Sequence, residues 1–184
     1  MKLTKLLIVF VFLIAAANAR AQTFQKELPV RVLGNFMRIK SDGEHEYGFM
    51  VELWKQGDKV YGLISAHDGL IGDPPTGVLE NIRFDRRAGK ISFTAKLSLG
   101  VTLDDNYKSI PTHDIFEFKG ILTKTRLTGN LVVTSLFDGK SLVEKKKLNL
   151  PRSKEWSSWM ERYNSYADWK KFADEILDFR GPNW

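Results

Sequence analysis

Residues 90–99, KISFTAKLSL, decide the fold class. Ile91, Phe93, Ala95, Leu97 and Leu99 alternate with Lys90, Ser92, Thr94, Lys96 and Ser98. A period of two puts all five apolar residues on one face of a strand and the polar ones on the other. No helix period accommodates the same pattern.

Working outward, the same alternation recurs. Phe116, Phe118 and Leu122 make one such face, and Leu127, Leu131, Val133 and Phe137 another. Eight β runs are expected, near 30–40, 46–55, 59–66, 78–86, 90–99, 114–123, 126–137 and 140–148. Gln56-Gly57-Asp58, Arg87-Ala88-Gly89 and Lys124-Thr125 have the length of hairpin connections. Gly48, Gly62, Gly120 and Gly129 fall inside runs, where a sheet must bend. The expectation is a mainly β fold: an antiparallel up-and-down meander of about eight strands, closed into a barrel or strongly curled. A two-sheet sandwich is the competing arrangement.

After Pro151 the period changes. Trp156, Trp159, Met160, Tyr163, Ala167, Trp169, Phe172, Ala173, Ile176 and Leu177 recur at spacings of three and four. With Ser153 as N-cap and Gly181-Pro182 as stop, one long amphipathic helix is expected over 153–180. Its aromatic stripe is expected to pack on the sheet. Five basic residues against six acidic ones argue against a helix lying on an anionic membrane.

The N-terminus reads as an address. Lys2 and Lys5 precede the apolar run Leu6–Ala17, and Ala19-Arg20-Ala21 offers a cleavage site. Twelve apolar residues are too few to span a bilayer. The division expected is a signal peptide over 1–21 and one domain over 22–184, exported to the periplasm or secreted, with no membrane segment left after cleavage. Removing Lys2, Lys5 and Arg20, and no acids, lowers the formal charge from +6 to +3. So small a charge gives no reason to expect a nucleic-acid partner.

The chain has no cysteine, so disulfides, thiolate catalysis and cysteine metal ligands are excluded. G-x-S-x-G, H-E-x-x-H, P-loop and G-x-G-x-x-G patterns are missing, and no cofactor is expected.

In a meander, connections alternate between the two ends. The long links 41–45, 67–77 and 100–113 then share an end, which also collects all three histidines. His45, His67, Asp68, Asp73, Asp104, Asp105, His113 and Asp114 form the expected rim. His45, His67 and His113 are the candidate ligands if a metal binds there. His67-Asp68 makes a poor catalytic pair, because neighbours on a strand point to opposite faces. Phe93, Leu97, Phe116, Phe118, Leu131 and Val133 are the candidate ligand-lining residues inside the sheet.

Eight meandering strands followed by a helix resemble the calycin-type barrels, the lipocalins and their relatives. Gly34-Asn35-Phe36 is similar to the lipocalin glycine-x-tryptophan opening, with phenylalanine in the tryptophan place. The T-D-Y triplet of that family is absent, and no arginine stands out in the sequence as its closing arginine. The resemblance implies a barrel holding a small apolar molecule, with Gly34 and Phe36 sealing one end. The function expected is therefore an exported binding protein for an apolar or amphipathic ligand. An envelope-associated interaction protein with a filled core is the alternative, and a metal-dependent enzyme at the loop end the third reading.

Overall fold

The computed structural model describes residues 28–103, 106–137, 140–154, 163–182 and 184. Eleven strands lie among them: β1 (Arg31–Ser41), β2 (His45–Gln56), β3 (Lys59–Leu70), β4 (Thr76–Val78), β5 (Glu80–Asp85), β6 (Lys90–Leu97), β7 (Val101–Leu103), β8 (Ser109–Pro111), β9 (His113–Leu122), β10 (Arg126–Phe137) and β11 (Lys140–Pro151). One helix, α1 (Tyr166–Arg180), follows. All strand pairs are antiparallel. Among the described residues no helix is long and apolar enough to cross a membrane.

The strands form three sheets, ordered β1-β2-β3-β4, β11-β10-β9-β6-β5 and β7-β8. No continuous ladder closes them into a barrel. The run expected over 78–86 is broken at Leu79, which is buried and donates its N–H to Gly62 O at 2.9 Å. That break sends β4 to the first sheet and β5 to the second. The link 100–113, expected as a loop, holds the extra hairpin β7–β8. At the other junction, β1 and β11 meet through a bridge between Phe36 and Arg152 and a Ser153 N–H to Asn35 O bond of 2.8 Å.

The two large sheets share one apolar core. Phe36 from β1, Val51 and Leu53 from β2 and Ile64 from β3 meet Phe93, Phe116, Phe118, Leu131 and Leu148 of the second sheet. Three glycines let the backbone pass close. Gly34, at φ +154°, leaves room for the Phe36 ring. Gly120 faces Gly129 across β9–β10, and a methyl on either would strike the Phe118 ring.

The first sheet is buried on both faces. Trp54, Tyr61 and Leu63 point away from the shared core and meet Trp169 and Ala173 of α1. This explains why Tyr61–Ala66 is buried without interruption instead of alternating. Trp169 stands 4.5 Å from Tyr61 and 5.8 Å from Trp54, between ring centroids.

The described helix starts later than expected. Ser165, not Ser153, is its N-cap, and Asp168 closes a reciprocal capping box. Residues 155–162, with Trp156, Trp159 and Met160 of the expected stripe, lie outside the described residues.

Candidate functional site

The meander separates two ends with different chemistry. At the long-link end, the residues next to strand termini are brought together much as the alternation of connections predicts. His45 opens β2, His67 lies near the end of β3 and His113 opens β9. Phe49 and Phe116, from opposite sheets, stand 6.3 Å apart just inside this end.

The three histidines nevertheless do not converge on one point. His45 sits 3.5 Å from Asp42 and stacks on Tyr47. His113 stacks on Trp184 at 4.4 Å. His67 places Nδ1 2.9 Å from Glu46 Oε2. Among the described residues no three His, Asp or Glu side chains form a cluster able to hold a metal ion. The reason is local: each ring is claimed by a neighbour on its own hairpin or by the C-terminal tryptophan.

The acids expected at the rim play separate parts. Asp68 is exposed and opposes Tyr47, whereas His67 opposes Gly48, so the adjacent pair points to opposite faces. Glu46, diagonal to His67 on the next strand, is its carboxylate instead. Asp73 is held by Arg180 at the end of α1. Asp114 is not a rim group. It is 1% exposed, and its carboxylate accepts from Leu99 N–H (2.7 Å), the Thr112 hydroxyl (2.6 Å) and the Ser135 hydroxyl (2.5 Å). It clamps the ends of β6, β9 and β10 together. Asp104 and Asp105 lie outside the described residues.

The six candidate lining residues are all buried in the shared core. Phe93 and Phe118 stack at 4.9 Å, filling the space between the sheets with side chains. Phe116 and Val133 also line a small pocket of about 140 Å³ at the long-link end, with Tyr47, Phe49, Leu99 and Lys146.

A larger pocket, about 460 Å³, opens at the other end, beside the short turns. Its volume falls in the range usual for small-molecule sites. The half-buried Leu33 and Phe84 and the exposed Leu28 and Pro29 give it an apolar lining, and Arg31, Lys55 and Arg86 also line it. The local fold explains this arrangement. A register shift between Val32 and Gly34 leaves Leu33 unpaired, and Leu33 packs against the shared core. Arg31 and Lys55 are register partners across β1–β2. Arg86 follows β5 in the turn whose Asp85 Oδ1 accepts from Arg87 N–H and Ala88 N–H.

Sequence reasoning missed this pocket. The two cations become neighbours only through a bulge, which hydropathy does not encode. The one available signal was the turn Gln56-Gly57-Asp58, which fixes the β2–β3 register but not that of β1.

No family model matches the chain, and neither a curated protein nor a solved structure matches it.

Proposed function

We propose that the protein is an exported binding protein for a small apolar or amphipathic molecule, seated in the mouth beside the short turns. The observation that carries this reading is the pocket of about 460 Å³ with its apolar lining of Leu28, Pro29, Leu33 and Phe84. The two sheets are read as halves of one curled, barrel-like wall with a packed middle. Their shared core and the Phe36–Arg152 bridge support that reading. Arg152 also lies beside Gly34 and Phe36, the place a closing arginine would take in a calycin-like barrel.

Native mass spectrometry of the purified protein tests the function. A non-covalent small-molecule adduct is expected, and it is lost in Leu33→Trp, whose indole fills the pocket. An adduct unchanged in Leu33→Trp, or no binding of any apolar or amphipathic probe, sinks the proposal.

A second reading, an interaction protein, is favoured by the long-link end. Leu70, Val101, Tyr107 and Phe179 are between 71% and 88% exposed there. Apolar side chains gathered at one end commonly mark a contact surface. Replacing all four by serine leaves the short-turn pocket intact, so loss of partner or surface binding in that variant separates the two readings.

A further inference from the structure

The cations around the short-turn pocket stand in an arrangement that a structural role does not account for. Arg31 and Lys55 are direct cross-strand partners, and like charges placed opposite each other destabilise a sheet. Arg86 adds a third positive group from the β5–β6 turn. Among the described residues the side chains of Arg31 and Arg86 have no hydrogen-bond or ion-pair partner. Among the described residues Asp58 is the one acid lining the pocket; it stands 3.7 Å from Lys55 but is fully exposed, so water screens it. Among the described residues the result is a net positive collar beside an apolar lining.

Resting on the binding reading above, we infer that the ligand is an anionic amphiphile. Its apolar body lies on Leu28, Leu33 and Phe84, and its acidic head group meets Arg31, Lys55 and Arg86. A guanidinium presents paired N–H donors that match a carboxylate or a phosphate edge, and among the described residues Arg31 and Arg86 have no other acceptor. An anion would also relieve the repulsion between Arg31 and Lys55. Local conflicts of this kind are expected where a site is built for a ligand.

Isothermal titration with four probes tests the inference: octanoate, octanol, octyltrimethylammonium and inorganic phosphate. At low salt octanoate is expected to bind at least about tenfold more tightly than octanol, and the ammonium probe more weakly than either. The preference for octanoate should shrink in about 1 M salt, where the screening length falls to about 3 Å. In Arg31→Gln/Arg86→Gln octanoate should weaken at least about tenfold while octanol is unchanged. Both residues are exposed, and an unchanged thermal midpoint of the variant shows that it folds.

Equal binding of octanol and octanoate overturns the anionic head group and leaves the pocket reading standing. Phosphate binding as tightly as octanoate overturns the apolar half. If none of the four binds, the pocket reading fails with it.

Discussion

Two acidic residues show how the same carboxylate chemistry serves different ends. Glu52 lies on β2, on the α1 side of the first sheet with Trp54, and burial pushes its carboxyl up to about 7. An acid whose pKa is raised on folding binds its proton more tightly in the folded state. Stability is therefore full below the ordinary glutamate range and falls as pH rises from about 4.5 to about 7. The fall is on the order of 3 kcal/mol. Glu52→Gln should flatten the dependence, matching the parent near pH 4 and exceeding it near pH 8 in denaturant midpoints. Asp114 is a buried acid whose carboxylate accepts from three donors. Asp114→Leu removes the acceptor and strands those donors, with an expected cost of about 3–5 kcal/mol. Chemical denaturation measures it, and a cost under about 1 kcal/mol would mean the clamp is not structural. At this scale the sequence was misleading. Asp114 reads as a rim acid beside His113, because nothing in a linear pattern shows that Leu99, Thr112 and Ser135 converge on it.

Among the elements, the helix is the informative one. Its stripe was legible: Trp169, Phe172, Ala173 and Ile176 follow the helical period and face the sheet in the structure. Its start was not. Ser165-x-x-Asp168 is a capping signature that lies inside the longer periodic run. Trp169→Ala should cost about 3–5 kcal/mol, since the ring fills the space between Trp54 and Tyr61. Ser165→Ala should cost about 1 kcal/mol by opening the capping box. Thermal and urea unfolding read both. A Trp169→Ala protein as stable as the parent would show that α1 contributes nothing to the fold. Strand positions were read well for a physical reason: each half-exposed strand, as over Lys90–Leu97, shows its alternation openly. The reading failed where a strand changes sheets at Leu79 and where β7–β8 is too short to show a period.

For the whole molecule, the parity of connections sorted the two ends, and the structure keeps that sorting. It also divides the inner space. The Phe93–Phe118 stack and the side chains around it stand between the large pocket at one end and the small one at the other. Variants at the long-link end, such as His67→Ala, should leave binding at the short-turn mouth unchanged within about twofold. Adding zinc should shift the thermal midpoint of neither parent nor variant, since the histidines reach no common point. A zinc shift that disappears with His67→Ala would contradict the geometry.

The Phe36–Arg152 bridge joins β1, the first strand, to the residue that follows β11, the last. Every other neighbouring pair in the two large sheets comes from segments closer in sequence. This contact between the two sheets therefore waits until the chain has been made through Arg152, and loop-closure entropy is met before it forms. During synthesis the first sheet can pair with itself while its outer edge stays open, until Arg152 has emerged. A chain cut short of Arg152 should retain hairpin signals by hydrogen exchange, yet leave the Asn35 and Phe36 region without its late protection.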